Sequence, residues 1–401
     1  MIIYYINYDG VNCSVYDSQI YTYCALLSEA NLTVTLVNCD INIGSKEYKH
    51  KIDNNKNYDN LKIISLQKNK KFDFFIRKKL ISDLINVINL VSDQGIQDEK
   101  IIIHCRGLFG SFIGLKVKSK LKSHFNIKVI SDIRGAVIDE YLMRHKDKGI
   151  IYKMVLRILI LKINSIQSNV CKKSDYILCV SKKLKEYLSN KHRVDCNVTV
   201  IPTCIEASKN AFDLKQRECI RSELNLEDKF IVAYCGGGQS YQKPGDLVNA
   251  FIKISESIKD AFFLILTRDS EVFETALSKY KASKSKYLIR SVSHNEVYKY
   301  LSAADCAILL RDYNNVNIVS SPTKFAEYIN CNLPVFISRN IGDIDEINDR
   351  YNVCIYEDET YSIRNRVNEI RVNEGKFELL IQEHYGWDRN IKKIISIYKE
   401  L

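Results

Sequence analysis

Proline and glycine are scarce in this chain, with 4 and 15 among 401 residues. That scarcity excludes proline-rich linkers and low-complexity tracts and predicts short loops between regular elements. Cysteine is plentiful, at 13, but lacks the arrangements that would give it structural work. There is no Cys-x-x-Cys pair, no His/Cys ligand spacing, and the count is odd, so the thiols read as reduced and cytosolic, with neither a disulfide framework nor a zinc site. The opening MIIYYINYDG has no positive n-region and reads as a first β-strand, not a signal peptide. No apolar run approaches the roughly 20 residues that cross a bilayer, so no transmembrane segment is expected.

What is present is globular. With 46% hydrophobic and 27% charged residues there is material for packed cores, and the length suggests two domains of roughly 200 residues each. Charge divides unevenly. Residues 1–200 hold 32 Lys and Arg against 19 Asp and Glu, a net of +13, whereas residues 201–401 hold 27 against 29, a net of −2. The basic clusters run from Lys68 to Lys79, from Lys116 to Lys128, and through Lys172, Lys173, Lys182, Lys183 and Lys185. Such patches suit nucleic acid, an anionic membrane or a pyrophosphate-linked substrate. A solvated surface and a membrane fit them about equally, and no nucleic-acid partner is expected.

The most informative stretch is Ser291 to Asp343. Within it Ser321 and Pro322 read as a helix start, the hydroxyl capping free N–H groups and proline standing where an N–H has no partner. Phe325, Tyr328 and Ile329 make the buried stripe, leaving Lys324 and Glu327 together on another face. Asn332 occupies the left-handed position after the helix, and Leu333 to Ser338 reads as a strand entering a core. Upstream, His294 to Asp305 reads as an amphipathic helix feeding the strand Cys306 to Leu310. Strand and helix alternate as in a parallel α/β sheet.

VSHNEVYKYLSAADCAILL followed by PTKFAEYINCNLPVF resembles the C-terminal half of glycosyltransferase family 4, retaining enzymes of the GT-B fold. The resemblance implies that Glu327 binds the ribose hydroxyls of a donor nucleotide and that the turn at Ser321 to Thr323 presents N–H groups to its diphosphate. Physical chemistry agrees, because a helix N-terminus favours anions and Lys324 adds a full charge. A surface i, i+3 ion pair between Lys324 and Glu327 is the plain alternative. The family's second glutamate, eight residues before Glu327, is replaced by Val319.

Taken in order, Met1 to Asn7 reads as the first strand, a helix from Ser18 carries Ile20, Tyr23, Cys24 and Leu27, and Thr33 to Val37 is the next strand. The loop between them offers Tyr8, Asp9 and Gly10, which the resemblance turns toward an interdomain cleft as donor or acceptor contacts. Ile101 to His104 is a strand ending in His104, Arg106 and Gly107, with a helix from Phe112 to Lys122. Lys128 to Ser131 is a strand ending in DIRGAVIDEY, which resembles the Asp-x-Arg-Gly segment of family members that build bacterial surface polysaccharides. Asp132 there takes the place of a histidine near the donor sugar, with Arg134 beside it and Glu140 further along. An internal ion pair between Asp132 and Arg134 that orders the loop is the alternative.

Gly149 to Ile166 is the most apolar helix, with Ile150, Ile151, Met154, Val155, Ile158 and Leu159 as one stripe and Lys153 and Arg157 opposite. It suits either an interfacial membrane helix or a helix buried against the sheet. Asp175 to Val180 is a strand, Ser181 opens a helix, and Val198 to Ile201 with Pro202 ends the first domain. The strand Phe230 to Tyr234 runs into Gly236, Gly237 and Gly238, where backbone N–H groups can approach a phosphate, and a helix starts near Pro244. This resembles the family's diphosphate loop, with Gly237 at the usual arginine, Gln242 at the lysine and Lys243 one place later. Phe262 to Thr267 and Tyr287 to Val292 continue the sheet, and the resemblance places the nucleotide base along Ile289 to Ser291. His384 to Leu401 reads as a helix with Ile391, Ile394, Ile395 and Tyr398 inward.

The resemblance thus implies two Rossmann-like doubly wound domains facing a cleft. Residues 1–203 would bind the acceptor, 204–382 the nucleotide sugar, and 383–401 would form a helix crossing back to the first domain. It implies retaining transfer of a sugar from a nucleotide diphosphate to a glycan hydroxyl, in O-antigen or capsule assembly on a lipid carrier at the cytoplasmic face of a membrane. No cofactor or metal is expected, because Lys243, Lys324 and the helix N-termini face the leaving group. A nucleotide-sugar epimerase and a non-catalytic sugar-nucleotide binder remain open.

Overall fold

The computed structural model describes residues 1–13, 15–53, 55–56, 58–68, 78–92, 99–207, 211–293, 296–358 and 362–401. Most of the basic cluster Lys68 to Lys79, and the start of the expected helix at His294, lie outside them. The chain forms two compact units, one of Met1–Pro202 with Asn390–Leu401 and one of Thr203–Arg389.

In the first unit the strands are β1 (Ile2–Asn7), β2 (Thr33–Asp40), β3 (Leu61–Gln67), β4 (Ile101–Arg106), β5 (Ile127–Ile133), β6 (Tyr176–Cys179) and β7 (Asn197–Val200). They pair in parallel in the order β3-β2-β1-β4-β5-β6-β7. Helices cover the faces, so the central strands carry unbroken apolar runs, and every residue of β1 and β4 is buried. The order reverses between β1 and β4, which opens a crevice beyond their C-terminal ends. Residues 40–100, for which the sequence offers no pattern, supply β3 and the helices Lys46–Asp53 and Lys78–Ser92.

Three strands outrun their expected ends, because each lies inside the sheet and the ladder continues as long as its neighbours do. β2 reaches Asp40, β4 reaches Arg106 and β5 reaches Ile133, so Arg106 stands opposite Asp132 in register. The helix after β4 correspondingly begins at Gly107 and not near Phe112.

The second unit has β8 (Phe230–Cys235), β9 (Ala261–Leu266), β10 (Tyr287–Arg290), β11 (Cys306–Leu309), β12 (Val335–Ile337) and β13 (Cys354–Tyr356), all parallel, in the order β10-β9-β8-β11-β12-β13. Its reversal lies between β8 and β11. Asp305, just before β11, ties a helix to the sheet. It accepts from Ile231 N at 2.7 Å, Arg217 Nη2 at 2.6 Å and Arg221 Nη2 at 2.7 Å, with Arg371 Nη1 at 3.7 Å.

Local signals translate directly. Ser181 Oγ accepts from Leu184 N at 2.9 Å as a helix cap. Asn332 adopts φ +53° after the helix Thr323–Asn330, and Phe325, Tyr328 and Ile329 are wholly buried. None of the 13 cysteines is in a disulfide.

The returning helix, Trp387–Glu400, buries Ile391, Ile394, Ile397 and Tyr398, with Ile395 half-buried. Only residues from Asn390 onward join the first unit; 383–389 stay with the second, where Ile205 bridges to Gly386 and the Phe325 and Tyr385 rings meet at 5.9 Å.

The helix Ile150–Lys173 has 24 residues, longer than its expected span. Its stretch Tyr152–Lys173 is long and apolar enough to cross a membrane by length and composition alone, a test that core helices also pass, and a third of it is buried in the fold. The extension past Ile166 is what supplies the length. Leu156, Ile163, Ile166 and Val170 pack inward, whereas Ile150, Met154, Val155, Ile158 and Leu161 are exposed by 55–80%.

Candidate functional site

Each unit presents polar groups at its sheet's reversal point. In the second unit β8 ends at Cys235 and enters the glycines. Gly236 has φ +150°, and a methyl there would overlap the Lys324 amine, so this position demands glycine. Tyr234 Oη donates to Gly237 O at 2.7 Å, and Gly238 N donates to Asp269 Oδ2 at 2.7 Å, which shapes the loop.

Lys324 stands in the first turn of the helix Thr323–Asn330 and turns inward to that loop. Its Nζ donates to Gln242 Oε1 at 2.7 Å and to Tyr234 Oη at 3.0 Å, and lies 4.6 Å above the Tyr234 ring. Burial, with the Arg311 guanidinium, pulls its pKa down to about 7. A half-charged ammonium held at a glycine loop and a helix N-terminus is poised for an anion. Glu327 follows one turn later, half-buried.

Some expected residues are used differently. Ser321 does not cap the helix; its Oγ accepts from Thr203 N at 3.1 Å and its carbonyl accepts from Thr203 Oγ1 at 2.7 Å. Thr323 therefore opens a first turn that no side chain caps, with Pro322 before it. Lys243, at φ +57°, pairs with Asp246 at 2.7 Å and Asp312 at 2.8 Å instead of standing free as a clamp. Gln242 is buried as the acceptor for Lys324. Ser291 is exposed just past the edge strand β10. Val319, where the resemblance expects a glutamate, is buried.

Arg311 carries no motif that marks it in the sequence. It follows β11, the strand across the reversal from β8, with its N–H on Ser338 Oγ at 3.1 Å and its guanidinium 5.9 Å from the Tyr241 ring. Asking which charged residues follow the two strands flanking a reversal would have found it.

In the first unit β1 ends in a knot of side chains. Asn7 Nδ2 donates to Asn38 Oδ1 at 2.9 Å and to Gly10 O at 3.2 Å, and Val11 N donates to Asp40 Oδ2 at 2.9 Å. Gly10, at φ +85°, has no room for a Cβ against Asp40. Lys68 Nζ donates to Tyr8 O at 2.8 Å, and Arg106 Nε donates to Asp9 Oδ2 at 3.3 Å.

His104 and Asp132 are not at a crevice edge. Both are buried, His104 completely, because β4 and β5 continue past them. His104 Nδ1 lies 2.7 Å from Tyr398 Oη and 3.3 Å from Tyr23 Oη, and Nε2 lies 3.7 Å from Asp132 Oδ2. Burial, opposed by Asp132, lowers the His104 pKa, so the imidazole is neutral. Burial alone would raise Asp132, yet Arg134, 3.0 Å away, with His104 and Arg106, holds it at about 2. The internal ion pair between Asp132 and Arg134 is thus present. Glu140 is half-buried beside Gly135, and burial raises its pKa.

No protein-family profile and no curated protein sequence matches the chain. Solved structures do. Sucrose-phosphate synthase from Thermosynechococcus elongatus superposes with TM-score 0.69 at 14% identity over 100% of this chain and 98% of its own. HepE of Anabaena, in complex with UDP-glucose, superposes with TM-score 0.68 at 9% identity over 100% of both chains. WaaG, a glycosyltransferase involved in lipopolysaccharide biosynthesis, gives 0.58 at 12% identity over 98% of this chain and 94% of its own. The fold is GT-B. In open α/β sheets the crevice at a reversal point is a common place for a ligand; the groups at the two reversals here are Gly236 and Lys324 in the second unit and Asp9 and Arg106 in the first, with Arg134 one strand further along.

Proposed function

We propose that the protein transfers a sugar from a nucleotide diphosphate donor to a glycan hydroxyl, with retention of configuration, the second unit holding the donor. The observation that carries this is the inward Lys324 amine over the Gly236 loop at an uncapped helix start. Negative charge grows on the β-phosphate as the glycosidic bond breaks, and fixed donors aimed at it lower the barrier. Lys324, Arg311 and the first-turn amides at Thr323 supply them, so the reading calls for no divalent ion and no cofactor. HepE was solved with UDP and with UDP-glucose in this fold, which supports a nucleotide-sugar donor. A thermal-shift screen over nucleotide sugars tests it, since a ligand of the native state raises the melting temperature. Donor turnover into a new glycoside supports transfer; turnover to an epimer with donor alone, or binding without turnover, overturns it.

Glu327, half-buried one turn beyond Lys324, is assigned to the ribose hydroxyls. Losing charge-assisted hydrogen bonds of about 1.5–3 kcal/mol should raise the donor Kd of Glu327→Ala about tenfold or more. Calorimetry reads this directly, and an unchanged Kd removes the ribose role.

The acceptor is proposed to be lipid-linked, of the kind used in bacterial O-antigen or capsule assembly, met by the first unit at an anionic, cytoplasmic membrane surface. Support comes from the +13 charge of residues 1–200 and from the exposed Met154, Val155, Ile158 and Leu161 beside Lys153 and Arg157. The protein should sediment with anionic vesicles at low salt, each nearby basic residue contributing about 1 kcal/mol. Ile158→Asp with Leu161→Asp should weaken that binding while leaving donor affinity intact. Equal sedimentation of the double variant would show that this face does not touch lipid.

A further inference from the structure

The first unit contains buried guanidinium N–H groups that its own ion pairs leave without acceptors. Arg106 is 6% exposed; its Nε reaches Asp9, but its Nη1 has no hydrogen-bond partner. Arg134 lies 3.0 Å from Asp132 through Nε, out of line for a hydrogen bond, and its Nη1 is likewise buried without a partner. Leaving such donors unpaired is costly. Arg106 ends β4, which flanks the reversal point, and Arg134 follows the end of the neighbouring strand β5, with Arg106 opposite Asp132 in register.

A third set of donors begins directly after Arg106. Arg106 is the residue before the helix Gly107–Leu121, whose first turn receives no side-chain cap. Gly107, at φ +73°, faces open space, with no atom within 4 Å of the point where a side chain would begin. Of the carboxylates nearby, Asp132 already serves Arg134, Asp9 is a rim group with a side chain 47% exposed, and burial disfavours the charged form of Glu140.

We propose that Arg106, Arg134 and the first turn at Gly107 form an oxyanion site that takes a phosphoryl group carried by the acceptor. The assignment to the acceptor rests on the transfer reading above; the anion site itself does not. Donors arrive from two strands and a helix start, which suits a tetrahedral phosphoryl group better than a planar carboxylate, and guanidinium forks bind phosphate oxygens in pairs.

The test is titration calorimetry on the full chain carrying Lys324→Met and Glu327→Ala, so that the second unit's site is silenced. Inorganic pyrophosphate and farnesyl pyrophosphate should both still bind. Arg106→Gln and Arg134→Gln should each weaken both ligands about tenfold or more, from loss of a charge-assisted contact. Absence of pyrophosphate binding, or binding that ignores both substitutions, overturns the site. Binding of the inorganic ion without the prenyl form overturns the acceptor assignment. Should either arginine variant fail to fold, crystals of the unaltered protein soaked in pyrophosphate decide between the same outcomes: density between Arg106, Gly107 and Arg134 supports the site, and its absence at saturation refutes it. Donor binding to Lys324 and Glu327 is measured separately, so failure of the donor reading leaves this outcome distinguishable.

Discussion

Lys324→Met should lower kcat about 10²–10³-fold and yet make the folded protein more stable below pH 7. The rate effect follows from removing a fixed cation where leaving-group charge develops. The stability effect has the opposite sign to that of an ordinary ion pair. Unfolded, this lysine titrates near 10.5, and folded at about 7, so between those values the unfolded state binds more protons and stability rises with pH. Below pH 7 both states are protonated and the folded state bears the full cost of a desolvated charge. Methionine removes that cost. The variant's melting temperature should therefore exceed the parent's most at pH 6, and the gap should close toward pH 10. Donor binding carries the complementary signature. A diphosphate beside Nζ raises the lysine's pKa, so binding takes up protons and affinity falls as pH rises above 7. Calorimetry of the best nucleotide sugar in buffers of differing ionisation enthalpy measures this uptake, which the variant should lack. Uptake unchanged in the variant would place the titrating group elsewhere.

Asp305→Ala should cost the second unit about 3–5 kcal/mol, the range for removing one partner of a buried charge cluster. The carboxylate faces Arg217 and Arg221 at 2.6 and 2.7 Å, with Arg371 at 3.7 Å, and its side chain is 13% exposed. Without it three guanidiniums remain partly buried around a void, and Ile231 N loses its acceptor. By the usual relation for domains of this size the second unit's melting point should drop about 10 °C or more. Asp305→Asn, which keeps one acceptor and the shape, should fall between. A shift within a degree or two for the alanine variant would show that the arginines find water or other partners at little cost.

Both residues show where sequence stops being sufficient. Lys324 is visible through its spacing to Glu327 and its helix start, but nothing in that spacing separates a surface ion pair from an inward amine. The choice is made by Tyr234 and Gln242, 90 and 82 residues away in sequence. Asp305 and Arg311 carry no local pattern at all. Their significance comes from standing at either end of β11, a strand whose place beside β8 is a fact of topology. Ser321 shows the reverse, since a good capping residue in the right position spends its hydroxyl on Thr203.

The alternation of strands and helices, the apolar stripes, the Ser181 cap and the left-handed Asn332 were legible in the residues alone, because these follow from propensity, periodicity and backbone sterics over a few residues. That His104 and Asp132 are buried, that Lys243 is already paired, and that Arg106 and Arg134 carry unused donors came from the assembled fold. Strand ends are set by how far neighbouring strands continue, and burial and charge pairing are set by residues far apart in the chain, so neither can be read from a local stretch.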